Sequence, residues 1–211
     1  MQNTNENYIS VIGTSFLDPI VKLMETLDSI YSKHPNRVHA SPLENGYSAA
    51  IITLTVLLVE SALNRTRYIF GWDSPTKPLK FFKKAFPSSI LYSKLKELFV
   101  IRDVIVHNHI WEMKYRLEEE GMKFISAKLL NSYGNKKFKK IINSKTRKTK
   151  LLKMNLLPTE VCRKDVVIVL KSAYEILSFL ENKDRKYIYI SIQPVKFKGK
   201  NMEFSKFIRN L

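Results

Sequence analysis

A short run of polar side chains lies inside an otherwise apolar helical stretch. Residues 101–112 read Ile-Arg-Asp-Val-Ile-Val-His-Asn-His-Ile-Trp-Glu. A guanidinium binds anions, and an imidazole transfers protons near neutral pH. Burying an unpaired arginine costs several kcal/mol, so Arg102 needs a partner or a function. The alternative is structural, with Arg102 and Asp103 in ion pairs and His107 in a core hydrogen bond.

Motifs of several other enzyme classes are absent. The six glycines form neither G-x-G-x-x-G nor G-x-x-x-x-G-K-[ST], and no H-E-x-x-H occurs. The histidines are His34, His39, His107 and His109, and a pair two residues apart points about 160° apart on a helix, which suits a metal poorly. The lone Cys162 excludes an internal disulfide and a Cys-rich zinc site. We therefore expect no metal and no cofactor.

The charge of the chain is its most unusual bulk property. Its 211 residues include 36 Lys and Arg against 19 Asp and Glu, a net charge of +17. Such an excess is typical of proteins with a polyanionic partner, which means nucleic acid, an anionic membrane surface or an acidic protein. The alternative is that the charge only keeps the protein soluble.

The cations are most concentrated between Gly121 and Thr159, which contains eleven Lys and Arg and no Asp or Glu. The same stretch carries Phe124, Tyr133 and Phe138. Cations interleaved with aromatic rings suit neutralisation of an RNA backbone together with base stacking. The residues predicted to bind RNA are Lys136, Lys137, Lys139, Lys140, Arg147 and Lys148. A solvated, partly flexible insertion is the alternative.

Apolar residues at three- and four-residue steps predict an all-α domain. The predicted helices cover Phe16–Lys33, Gly46–Phe70, Ser88–Glu118 and Arg163–Asn182, with a short basic-aromatic piece over Lys77–Phe86. Weak alternation over Tyr187–Ile192 predicts a short C-terminal strand. We expect one domain over residues 1–211, with core helices within 16–119 and 163–182, a basic insertion over 121–159 and a C-terminal extension over 183–211.

The sequence favours a cytoplasmic protein with no membrane partner. Its most apolar stretch, Tyr47–Val59, is 13 residues long, whereas a membrane span needs about 20. The first seven residues contain neither a basic cluster nor an apolar core, so they do not resemble a secretory signal.

The sequence Arg102-Asp103-Val104-Ile105-Val106-His107 resembles the R-[polar]-x-x-x-H motif of HEPN-domain proteins. These proteins are small all-helical bundles that carry the motif on a late helix. The resemblance covers about residues 16–182 and includes an apolar helix that ends in Glu60-Ser-Ala-Leu-Asn64 before the motif. It implies a HEPN-like helical bundle acting as a metal-independent endoribonuclease, in a toxin or antiphage-defence role.

The resemblance also implies roles for single residues. The RNA 2′-OH would attack its adjacent phosphate, so DNA, which lacks this hydroxyl, would not be cut. His107 is the expected general acid/base, Arg102 the phosphate clamp, and Asp103 the group that orients one of them. His109 is the rival imidazole because it shares the helix face of Arg102. His107 is preferred because Asp103 then falls at the family position directly after the arginine.

The spacing of Arg102 and His107 predicts an assembly. An offset of five residues separates two side chains by about 140° and 7.5 Å along a regular helix. Either the helix is broken here, or two chains contribute to one site, and the resemblance favours a homodimer with its two motifs facing one cleft. Glu60, Asn64 and Arg65 are candidates for auxiliary groups.

Two other functions remain open. The first is a non-catalytic RNA-binding or protein-interaction HEPN module whose site has lost activity. The second uses the same basic surface to bind an acidic, antitoxin-like or defence-system partner protein.

Overall fold

The computed structural model describes residues 12–32, 41–72, 76–107, 111–118, 121–130, 136–183 and 189–211. Within these ranges the chain forms seven α-helices: α1 (Leu17–Ser32), α2 (Pro42–Ile69), α3 (Pro78–Ala85), α4 (Leu91–His107), α5 (Lys136–Ile141), α6 (Arg163–Lys183) and α7 (Phe204–Arg209). The prediction of a mostly helical fold is confirmed.

Six short strands pair as three antiparallel hairpins in the described part of the chain. They are β1 (Trp111–Glu118) with β2 (Gly121–Leu129), β3 (Ile142–Asn143) with β4 (Lys148–Thr149), and β5 (Pro194–Phe197) with β6 (Lys200–Glu203).

Helix α2 is the centre of the bundle, and α1, α3, α4 and α6 pack against it. Its first half is apolar on nearly every side, and residues such as Ile51, Val56 and Val59 are fully buried. By length and composition α2 could cross a membrane, but half of its most apolar window is buried inside the protein. Ser41 caps its N-terminus by accepting the Glu44 N–H at 3.2 Å.

Buried carboxylates join the N-terminus of α6 to its neighbours. Glu44 of α2 accepts the backbone N–H of Arg163 at 3.2 Å. Asp28 of α1 accepts the Arg163 side chain at 2.6 Å. Asp165, in the first turn of α6, accepts the backbone N–H groups of Asn155 at 2.9 Å and Cys162 at 3.0 Å. Burial raises the pKa of Asp165 above its ordinary value, although these hydrogen bonds act in the opposite direction.

The second half of the predicted basic insertion belongs to the core. Its apolar side chains Ile141, Ile142, Met154, Leu156 and Leu157 are at most 5% exposed and join the same hydrophobic cluster as the long helices. This part of the chain is therefore not an excursion from the domain.

Two polar contacts fix this segment against α4 and β1. Buried Glu97 of α4 accepts the backbone N–H groups of Leu151 at 2.7 Å and Leu152 at 2.9 Å. The indole of Trp111 donates to the Leu156 carbonyl at 3.1 Å.

The prediction that the third helix continues to Glu118 is wrong, because α4 ends at His107 and residues 111–118 form β1. Along β1 an apolar residue alternates with a charged one at every step, which is the period of a strand with one buried face. The apolar set is Trp111, Met113, Tyr115 and Leu117, and the charged set is Glu112, Lys114, Arg116 and Glu118.

The apolar face of this hairpin opens to solvent towards its turn. Trp111 is 6% exposed at the base, Tyr115 is 38% exposed, and Leu117 is 84% exposed. The base therefore packs on the core, and the outer half extends away from it.

The predicted C-terminal strand was misplaced. The part of Tyr187–Ile192 that the structure describes, residues 189–192, is not a strand, and pairing starts at Pro194. The connecting residues Lys198 and Gly199 have φ of 50° and 78°, as a tight two-residue hairpin turn requires. Helix α7 then returns to the core with Phe204 and Phe207 buried.

The anchoring role of Glu97 gives a stability prediction. Glu97→Ala removes the acceptor for two backbone N–H groups, so the free energy of unfolding is expected to fall by about 1–3 kcal/mol. Urea denaturation followed by circular dichroism measures this loss. The matched control is Glu112→Ala, which removes an exposed carboxylate from β1. Equal stability of the two variants would contradict the anchoring role.

Candidate functional site

Arg102 lies between two carboxylates on adjacent helices. Its Nη1 donates to Glu60 Oε2 of α2 at 2.6 Å. Its Nε and Nη2 donate to Asp103 Oδ1 at 3.2 Å and 3.1 Å. The guanidinium also lies over the ring of Phe99, 5.2 Å from the ring centre. These contacts define the Arg102 cluster: Arg102, Glu60, Asp103 and Phe99.

The local sequence explains why this arginine is half-buried. The fully buried face of α4 includes Leu95, Leu98, Ile101 and Val104, at three-residue steps. Arg102 lies beside this face, and its side chain is 23% exposed. The sequence predicted that Arg102 interrupts the apolar face of its helix, whereas the structure places Arg102 at the edge of that face. Its charge is thus paired without being fully desolvated.

Glu60 reaches Arg102 because of where α2 changes character. Ahead of Glu60 the helix is apolar almost all round, and after it the chain reads Ser-Ala-Leu-Asn-Arg. Glu60, a candidate auxiliary group from the sequence, therefore makes a specific contact with Arg102. Asn64 and Arg65 follow on the same helix and are half-buried. Phe99 was not anticipated, although its position three residues before Arg102 places it on the same helix face.

The cluster has a consequence for anion binding. Within the described contacts, two carboxylates face one guanidinium. A guanidinium has five N–H groups, and the carboxylates use three of them. Within the described contacts two N–H groups remain for another acceptor. A phosphate approaching them also meets the two carboxylates, so this cluster by itself attracts an anion only weakly.

His107 is the last residue of α4, and the helix is unbroken from Leu91 to this point. A break between Arg102 and His107, one of the two explanations for their spacing, is therefore excluded. Along this regular helix the two positions stay about 140° apart. The rival His109 lies outside the described residues, as do His34 and His39.

The structure places the predicted RNA-binding residues on two neighbouring elements. Lys136, Lys137, Lys139 and Lys140 belong to α5, which packs against α4, and the last two are exposed. Arg147 and Lys148 belong to the β3–β4 hairpin. Arg147 forms an ion pair with Glu160 at 2.9 Å, so its charge is partly neutralised within the fold.

The other side chains of the types that bind metal ions do not form a cluster in the described part of the chain. In the part of the chain that the structure describes, no group of three His, Cys, Asp or Glu side chains could hold a metal ion. Burial, together with the charge of neighbouring Asp165, raises the pKa of the Cys162 thiol above its ordinary value. A thiol with a raised pKa is a poor nucleophile at neutral pH.

Comparisons with protein-family models, with curated proteins and with solved structures find no match for this chain. The resemblance to HEPN-domain proteins therefore depends on the motif and its helical setting alone.

Proposed function

We propose that this protein is a HEPN-type endoribonuclease that cuts RNA without a metal ion, in a toxin or antiphage-defence role. The observation that carries the proposal is the setting of Arg102. It is half-buried at the edge of a rigid helix, oriented by Glu60 and Asp103, with His107 five residues later. An oriented cation and an imidazole are the groups this chemistry needs.

In the proposed reaction His107 accepts the proton of the RNA 2′-OH. The 2′-oxygen then forms a bond to the adjacent phosphorus, and the bond from phosphorus to the 5′-oxygen breaks. The leaving 5′-oxygen takes a proton from water, and the His107 imidazolium returns its proton to the solvent. The products are a 2′,3′-cyclic phosphate and a 5′-OH end. Arg102 donates to the phosphoryl oxygens and offsets their developing charge. Asp103 and Glu60 hold the guanidinium in place.

We also propose that the active form is a homodimer. Arg102 and His107 lie about 140° apart on one unbroken helix, which favours a site built from two chains. Val106 lies four residues after Arg102 on the same helix, and its apolar side chain is 55% exposed. A second copy that covered this side chain would bring another motif helix near the first.

One observation favours a second function, a non-catalytic RNA-binding or protein-interaction module. Both sides of the Arg102 guanidinium already contact carboxylates, and such pairing also occurs in purely structural clusters. This alternative predicts RNA binding without turnover.

The catalytic assignment predicts that Arg102→Ala and His107→Ala each abolish cleavage. Loss of a general acid/base lowers the rate about 10²–10⁴-fold, and loss of a charge-stabilising donor about 10²–10³-fold. The measurement is cleavage of total RNA in EDTA with analysis of the cut ends, after circular dichroism has verified folding.

Arg116→Ala and His109→Ala are the matched controls, and both are expected to retain most of the activity. An inactive His109→Ala together with an active His107→Ala would show that His109 is the catalytic imidazole. Activity lost in chelator and restored by a divalent ion would overturn the metal-free mechanism. RNA binding without cutting by the unmodified protein would establish the non-catalytic module.

The two-chain site predicts complementation. Arg102→Ala and His107→Ala chains, co-expressed with different tags and purified as a mixed dimer, are expected to regain cleavage because the cleft again holds one arginine and one histidine. Light scattering of the unmodified protein should give about twice the chain mass of 24.7 kDa. A fully active monomer, or an inactive mixed dimer, would contradict this arrangement.

The α5 lysines are expected to set RNA affinity. Replacing Lys136, Lys137, Lys139 and Lys140 with Gln should flatten the slope of log K against log[salt] by up to roughly 3 units, since each phosphate on a single strand contributes about 0.7. Single-turnover cleavage of the saturated complex should change little. The control removes the same charge from Lys171, Lys196, Lys200 and Lys206, which are exposed on other elements. Equal slopes for the two variants would leave α5 without a role.

A further inference from the structure

A second acid-free basic stretch begins before α4 and runs into its first turns, outside the segment already proposed to bind RNA. Residues 74–96 contain six lysines and no Asp or Glu. Four of these, Lys77, Lys80, Lys83 and Lys84, are exposed on α3 or at its N-cap. None of the four forms an ion pair with a described carboxylate, whereas Lys94 in the same stretch pairs with Glu175.

The opposite face of α3 is fixed to the bundle by aromatic rings. Phe81 and Phe82 are fully buried. Phe86 lies 6.2 Å from Phe81 and 5.2 Å from Phe82 between ring centres, and Phe179 of α6 lies 5.1 Å from Phe86. The lysine face is therefore held in a fixed position, and the apolar face of α3 is not free to enter a membrane.

Two aromatic rings at the end of α2 lie against α3, one of them exposed and the other next to a lysine. Phe70 is 39% exposed and meets Phe81 edge-on at 6.2 Å. The Nζ of Lys84 lies 5.9 Å from the ring centre of Trp72. Cations next to an exposed ring are the combination that binds single-stranded nucleic acid, with phosphates on the lysines and a base on the ring.

The position of α3 relates it to the Arg102 cluster. Helix α3 packs against both α2 and α4, where α2 ends and α4 begins. Arg102 lies eleven residues into α4, and Glu60 lies nine residues before the end of α2. At 1.5 Å per residue these offsets are about 13–17 Å, a distance that a few nucleotides of one strand can bridge.

We propose that the lysine face of α3, together with the exposed ring of Phe70, is a binding surface for single-stranded RNA. The inference rests on the proposed function and extends it. In the Arg102 cluster two carboxylates face one guanidinium, so the cluster attracts phosphate weakly by itself. The exposed lysines of α3 supply positive potential beside the end of α2 and the start of α4, and they hold the strand on that side of the cut.

The test uses the full-length protein and a 20-nucleotide single-stranded RNA with 2′-O-methyl groups, which prevents cleavage during the measurement. Fluorescence anisotropy over a salt series should show that Lys80→Gln, Lys83→Gln and Lys84→Gln together flatten the slope of log K against log[salt] by up to roughly 2 units. Phe70→Leu keeps an apolar side chain in the aromatic cluster and removes the ring. It should weaken binding at least about 5-fold, as expected for loss of one stacked base.

The matched control replaces Lys196, Lys200 and Lys206 with Gln, which removes the same charge from β5, β6 and α7. Its slope should stay close to that of the unmodified protein. If the α3 variant has the same RNA affinity and the same salt slope as the control, the inference is overturned. A variant that binds RNA normally but loses affinity for phosphatidylserine vesicles also overturns it, because α3 would then be a lipid-binding surface.

Cleavage, measured separately, distinguishes this inference from the proposed function. If unmethylated RNA is never cut while the α3 variant binds more weakly than the control, the ribonuclease proposal fails and the binding surface stands. If RNA is cut and the α3 variant binds like the control, the ribonuclease proposal stands and the binding surface fails. If the unmodified protein binds no RNA, both fail.

Discussion

The bundle depends on buried carboxylates that accept backbone N–H groups from other segments. A buried charge is costly unless it is fully hydrogen-bonded, and here each acid meets donors that would otherwise be unpaired. Glu44 joins α2 to α6, Glu97 joins α4 to residues 151–152, and Asp165 joins α6 to Asn155. With 19 acids against 36 cations, this use of acids inside the fold leaves fewer carboxylates on the surface to balance the lysines there. The cationic surface is thus partly a consequence of how the interior is held together.

The long helices could be predicted from the sequence because their apolar residues recur with the helical period. Helix α1 begins one residue after the predicted start at Phe16, and α6 ends one residue after the predicted end at Asn182. The predicted end of the first helix, Lys33, lies outside the described residues. The strands were missed for two different reasons. In β1 the alternating pattern was present but was merged with the preceding helix, although Trp111 to Leu117 follow a period of two. In the C-terminal hairpin the turn is Lys198-Gly199, which lacks the Asn or Asp that usually marks such turns.

The site was predictable in composition but not in electrostatics. The sequence identified Arg102 and Asp103, and it named Glu60 as an auxiliary group. Glu60 and Arg102 are 42 positions apart in the chain. Their direct ion pair depends on how α2 is aligned against α4. The second carboxylate on the Arg102 guanidinium follows from this tertiary contact. The placement of Ile141 to Leu157 in the core was likewise hidden, because the many lysines around these apolar residues dominate the composition.

The β1–β2 hairpin has a consequence for the behaviour of the protein in concentrated solution. A two-stranded ribbon has two open edges, each with unpaired backbone donors and acceptors that can template pairing with another chain. Its outer half also carries the bare side chain of Leu117. The net charge of +17 opposes such contacts through repulsion between chains. Salt shortens the range of that repulsion, so colloidal stability should decline as ionic strength rises, the reverse of the usual salting-in of a protein.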